Sequence, residues 1–267
     1  MIGLETHLRA VTGRGRKLLI PYVTGGITAD WTSYLLAYQA AGADAIEVGL
    51  PFSDPLLDGP TIQEASGLAL ARGATVSRIL ADLSDISAQV TVPIVVMACA
   101  NLVVRRGLEP FCAAIRAAGV AGLIVPDMPL PEIAPLEAVA VAAGLDLVLL
   151  AAPSTSRPRL REICERSRGF IYTVSVMGTT GERPALAASA APLATALKEL
   201  TDRPVVIGFG VSSATQAGEA AGFADGVVVA SALMRKVLDG ATPQQVGDAL
   251  AEMREGLNEH ARVETAR

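Results

Sequence analysis

The chain has 267 residues, 51% hydrophobic and 18% charged, with a net charge of -5 at neutral pH. This is ample for a large core and too apolar for disorder, and no lysine and arginine run offers a footprint for nucleic acid or an anionic membrane surface. Met1 to Leu8 lacks the basic start and apolar run of a leader, and no apolar run approaches the roughly 20 residues that cross a bilayer, so a cytoplasmic protein is expected.

Short, almost wholly apolar runs alternate with alanine-rich segments of helical spacing. In chain order the pattern predicts a strand at Leu18–Val23, a helix at Trp31–Ala41, a strand at Ala45–Leu50, a helix at Val76–Ala88 and a strand at Ile94–Ala98. A helix at Leu108–Ala118, a strand at Gly122–Val125, a helix at Ile133–Ala143, a strand at Leu147–Ala151 and a helix at Pro158–Ser167 follow. Then come a strand at Phe170–Ser175, a helix at Pro192–Leu200, and strands at Val205–Phe209 and Gly226–Ala230. A last amphipathic helix runs from Pro243 to Glu259, and the polar tail to Arg267 is expected to fray.

Uninterrupted apolar runs suit parallel strands covered on both faces. Ala-Gly pairs at Ala41-Gly42, Ala118-Gly119, Ala143-Gly144 and Ala221-Gly222 stand before strands, where glycine closes a helix in a left-handed conformation. Eight strands favour a closed α/β architecture, a (β/α)8 TIM barrel forming a single domain over residues 1–267. Local pattern alone leaves the open, doubly wound sheet as the alternative.

In such a barrel, chemistry gathers at the carboxyl ends of the strands. That rule selects Tyr22 and Thr24, Glu47 and the loop to Thr61, Asn101, Asp127, Ser154 and Thr155, and Tyr172 with Ser175. Glu47 lies among Ala45, Ile46 and Val48, so lost hydration should raise its pKa toward the range where a proton is both given and taken. The alternative is a structural buried carboxylate. Asp58, in the Pro/Gly-rich loop, is the second acid. Asp54 suits a turn before Pro55, Asp127 suits a turn before Met128-Pro129 as a secondary site residue, and Tyr172 suits barrel filling.

Lys17, Lys198 and Lys236 fall before a strand or on helices, so no Schiff base is expected. His7 and His260 lie near the termini, so no metal site is expected. No dinucleotide fingerprint follows a strand, and no cofactor is expected. Cys99, Cys112 and Cys164 read as reduced thiols without chemistry. Acid/base catalysis on a substrate with its own electron sink remains. Gly178-Thr179-Thr180-Gly181, Gly208-Phe209-Gly210-Val211-Ser212-Ser213 and Ala230-Ser231-Ala232 follow strands six to eight, where backbone N–H groups can hold a phosphate.

Together these residues resemble the tryptophan synthase alpha subunit family from Leu18 to about Val237. The most specific segments are Pro51-Phe52-Ser53-Asp54-Pro55 and Asp58-Gly59-Pro60-Thr61-Ile62-Gln63, with Ala43–Glu47, Val125–Pro129, Phe170–Tyr172 and Gly208–Ser212 in support. The resemblance implies retro-aldol cleavage of indole-3-glycerol phosphate to indole and glyceraldehyde 3-phosphate in tryptophan biosynthesis. Glu47 would protonate indole C3 and help remove the glycerol hydroxyl proton, and Asp58 would stabilise or accept the indole N–H proton. Tyr172 would line the pocket, Gly181, Gly210, Ala230 and Ser231 would hold phosphate, and Thr180 would lie in a closing loop. It further implies a beta subunit in an alpha2beta2 assembly, contacted through Asp54 and Pro55. Gly26-Ile27-Thr28, Val176 and Ala230 depart from the family's usual Gly-Asp-Pro, arginine and glycine. A divergent stand-alone lyase of another pathway, another phosphosugar isomerase or epimerase, and a non-catalytic activator of a beta-like subunit are the alternatives.

Overall fold

The computed structural model describes residues 3–174, 186–208 and 210–265. Its strands are β1 Leu18–Thr24, β2 Ile46–Gly49, β3 Ile94–Met97, β4 Val120–Ile124, β5 Asp146–Ala151, β6 Ile171–Val174, β7 Val205–Gly208 and β8 Gly226–Val229. They pair in parallel in chain order, and β8 returns to β1, which closes the barrel and removes the open-sheet alternative. All seven residues of β1 and all four of β2, β7 and β8 are buried, as strands covered on both faces require.

The helices are α1 Leu4–Thr12, α2 Thr32–Ala40, α3 Pro60–Ala71, α4 Val76–Ile86, α5 Ala100–Arg106 and α6 Leu108–Ala117. They continue as α7 Ala134–Ala142, α8 Arg157–Arg166, α9 Leu186–Lys198, α10 Ala214–Ala221, α11 Ser231–Leu238 and α12 Pro243–Thr265. Periodicity did not predict α1, α3, α5, α10 or α11. Several of these are only two turns long, too short for a 3.6-residue repeat to stand out. The start expected at Pro192 is corrected: α9 begins at Leu186 and carries Pro192 inside it. The helix expected to end at Glu259 continues to Thr265.

Gly42, Gly119 and Gly144 take positive φ and close α2, α6 and α7 as expected. Gly222 does not: its φ is -67, and α10 ends without a left-handed residue.

Leu18, Ile20, Val95, Val148, Val206 and Val228 fill the lumen, while Leu4 and Leu8 of α1 belong to the same apolar cluster and close its amino end. Leu4 fits because Gly122 and Gly169 carry no side chain; a methyl at either would stand 2.7 Å from its Cδ2.

Asp44, 4% exposed, clasps the opposite edges of the chain together. Its Oδ2 accepts from the Leu19 N–H at 2.9 Å and from Arg254 of α12 at 2.5 Å, and its Oδ1 accepts from Arg16 at 2.9 Å. Arg254, itself 6% exposed, donates its other terminal nitrogen to the Lys17 carbonyl at 2.8 Å. Asp44→Ala would strand a buried guanidinium, so we expect a loss of about 3–5 kcal/mol in urea unfolding. A change below about 1 kcal/mol would mean that water compensates the charge.

Candidate active site

The site grows from β2. Side chains alternate along a strand, so with Ile46 and Val48 packed against the helices, Ala45, Glu47 and Gly49 face the lumen. Glu47 pairs in register with Tyr22 of β1 and Val95 of β3 and is 2% exposed. Its Oε2 is buried without a hydrogen-bond partner. Desolvation, followed by the nearby charge of Asp58, pushes the Glu47 pKa up to about 8. Asp58, half-buried in the loop after β2, is pushed up to about 6 by desolvation and then by Asp127.

Two tyrosines flank these acids, and each needs a glycine beside it. A methyl on Gly49 would meet the Tyr22 hydroxyl at 1.9 Å, and one on Gly208 would meet Tyr172 Cε1 at 2.0 Å. The ring of Tyr22 therefore lies over β2, and that of Tyr172 over β7. Thr24, fully buried, donates to the Tyr22 hydroxyl at 3.3 Å. Burial holds both phenols well above their ordinary pKa, with the carboxylates adding to it, so each remains a neutral hydrogen-bonding group.

Above them a cavity of about 290 Å³ opens at the carboxyl ends of β2 to β4. Tyr22, Gly49, Asp58, Ser66, Cys99 and Asp127 are among its lining residues, together with Phe52, Asp54 and Pro55. Tyr172 does not line it; that residue sits deeper, its ring 5.9 Å from that of Phe170. Asn101, expected in a loop, stands on α5 and reaches the cavity wall. Asp127 is more than a turn former, because its Oδ1 accepts from the Ala100 N–H at the start of α5 at 2.7 Å. Periodicity gave no sign of Ser66 or Cys99, which enter the site only through the way α3 and α5 pack. Gly49 did carry a signal, a glycine ending an apolar strand two residues after an acid.

Gly210 and Ala230-Ser231 stand at the carboxyl ends of the neighbouring strands β7 and β8. Gly210 has φ +90, a conformation that favours glycine. Ala230 has φ -117, which accommodates its methyl group, and no side chain caps the first turn of α11. Those N–H groups face the loop end of the barrel. Ser212 and Ser213 are occupied locally: the Ser212 N–H and hydroxyl donate to Gln216 Oε1, and Ser213 caps α10. Thr180 and Gly181, like Ser175 and Val176, lie outside the described residues.

A sequence model described as tryptophan synthase alpha chain matches residues 8–262. The tryptophan synthase alpha chain of a Picosynechococcus strain is 41% identical over 97% of this chain and 99% of that one. That of Chloroflexus aggregans is also 41% identical, over 97% and 98%. Among solved structures, a Mycobacterium tuberculosis tryptophan synthase chain superposes with a TM-score of 0.88 at 36% identity, covering 95% of this chain and 97% of that one. The tryptophan synthase alpha subunit of Legionella pneumophila superposes at 0.86 with 28% identity, covering 97% and all of its length. By sequence over nearly its whole length, and by fold, this chain belongs to the tryptophan synthase alpha chain family.

Proposed function

We propose that the chain is a carbon–carbon lyase that splits indole-3-glycerol phosphate into indole and glyceraldehyde 3-phosphate, with Glu47 and Asp58 as its acid/base pair. The observation that carries this is the buried Glu47 carboxyl near Asp58, with its Oε2 left without a hydrogen-bond partner, at the productive end of a barrel from this family. A pKa near 8 keeps Glu47 mostly protonated at neutral pH, and one near 6 leaves Asp58 mostly ionised, so acid and base roles separate by environment.

Glu47 gives its proton to indole C3, and Asp58 stabilises the positive charge that develops at the ring N–H. The ionised Glu47 then takes the proton from the hydroxyl on the carbon attached to C3. The C–C bond breaks, its electron pair returns to the ring, the hydroxyl oxygen becomes the aldehyde oxygen, and Glu47 ends reprotonated. The protonated indole serves as the electron sink, so the chemistry needs no lysine imine. Gly210, Ala230 and Ser231 are suited to the phosphate, and Tyr172 to backing Glu47 from below.

The loop at the cavity mouth supports a further part of the proposal, a beta subunit as partner. Leu56 is 84% exposed and Leu57 51%, directly beside Asp54 and Pro55. An apolar pair of this exposure at a site entrance suits a covering surface. The family's solved structures include tryptophan synthase from Mycobacterium tuberculosis.

Three outcomes follow. Mixed with indole-3-glycerol phosphate, the wild-type chain should release indole, while Glu47→Gln and Asp58→Asn should lower kcat by about 10²–10⁴-fold with KM nearly unchanged. Absence of indole from wild type, alone and with a beta subunit, would refute the lyase assignment. Because the folded Glu47 pKa lies above its unfolded value, the stability this group contributes is fully present below pH 4.5 and is lost as pH rises through about 8. Urea unfolding of Glu47→Gln should therefore fall less steeply than wild type between those limits; parallel curves would place Glu47 in a hydrated environment. Finally, Asp54→Lys should weaken co-purification with a tryptophan synthase beta subunit at least tenfold, and unchanged capture would move the interface elsewhere.

A further inference from the structure

Asp127 is a charged group of this cavity that lies outside the acid/base pair. It follows β4, and its Oδ1 accepts from the Ala100 N–H at 2.7 Å, which pins the β4 loop to the first turn of α5. The carboxylate therefore has a fixed place in the same cavity wall as Asp58, Cys99 and Asn101. Among the described residues, that wall contains no lysine, arginine or histidine. Its acids, Asp54, Asp58 and Asp127, share that wall with no cation among its lining residues to offset them.

We propose that Asp127 is a positioning residue that acts through Asp58: held by the Ala100 N–H, it is a fixed negative charge that draws the indole N–H proton toward Asp58 and squares the α5 wall against the ring. This rests on the lyase reading above. The groups facing Asp58 are Glu47 from β2, the neutral phenols of Tyr22 and Tyr172 from β1 and β6, the Cys99 thiol ahead of α5, and Asp127 itself. Of these, Asp127 is the charge that most favours the protonated form of Asp58. The same charge faces Cys99, whose thiol is pushed up to about 12 by burial and then by Asp127. Asp127 is itself open to solvent at the cavity mouth, so its effect is screened and should be modest.

Asp127→Asn separates the two roles, since an amide oxygen can still accept from Ala100 while the charge is gone. In a ¹³C-carboxyl NMR titration, with Asp58→Asn used to assign the signal, the Asp58 midpoint should fall by roughly half a unit to one unit. The acidic limb of kcat/KM should move down by the same amount, with KM at the optimum unchanged. Asp127→Ala loses the anchor as well and should add a rise in KM. Asp127→Ser, which keeps a small acceptor, repeats the charge test should the amide disturb folding. An Asp58 midpoint that stays at its wild-type value in folded Asp127→Asn or Asp127→Ser overturns the proposal. Because the titration is read without turnover, that failure is distinct from failure of the lyase reading, which would appear as wild-type protein releasing no indole.

Discussion

A carboxyl group buried from water, with one oxygen that no donor reaches, is the constraint around which this barrel is organised. A glutamate placed on a central strand must be shielded by neighbours on both sides; β1 and β3 flank it in the sheet, and closure of the sheet turns its side chain into a lumen filled by the other strands. Carrying a buried acid costs stability whenever the group is ionised. A purely structural carboxylate would recover that cost through hydrogen bonds, as Asp44 does with Leu19, Arg16 and Arg254. Glu47 Oε2 recovers none. The contrast between two acids three residues apart separates a clasp from a reactive group.

Space for the reaction is made by omission. Gly49 and Gly208 withhold the side chains that would collide with Tyr22 and Tyr172, so two aromatic rings can lie beside the strands and wall the lumen around Glu47. At the opposite end Gly122 and Gly169 do the same for Leu4, and α1 becomes a floor. Among the described residues, apolar side chains fill the lumen toward its amino end, and a cavity lies at the carboxyl ends of the strands, where the loops after β2, β3 and β4 supply Asp58, Cys99 and Asp127. Loops on a rigid scaffold can vary their chemistry without disturbing the closure underneath. The exposed Leu56 and Leu57 belong to that variable rim.

The strands and their count were legible in the chain because both faces of each are covered, which leaves short apolar runs, and their alternation with helical segments pointed to parallel pairing. Glu47 was legible for the same reason, as an acid inside such a run. Asp58 followed from its place in the loop after that strand. Short helices were harder to see: α5 spans two turns and carries Asn101 to the cavity wall, yet its repeat is too brief to register. Gly222 had the same Ala-Gly context as Gly42 but a different φ, so the dipeptide alone does not settle how a helix ends.

What the amino-acid order determined by itself was periodicity, and with it the eight-fold alternation, the burial of Glu47 and a loop rich enough in proline and glycine to hold Asp58 at the rim. Only the closed tertiary structure decided which polar groups share one cavity. Asp127 and Asp58 are 69 residues apart in sequence, and Ser66 reaches the same wall from the inner face of α3. Such groups meet because the curvature of a sealed sheet converts distance along the chain into adjacency around a ring, and no local pattern encodes that curvature.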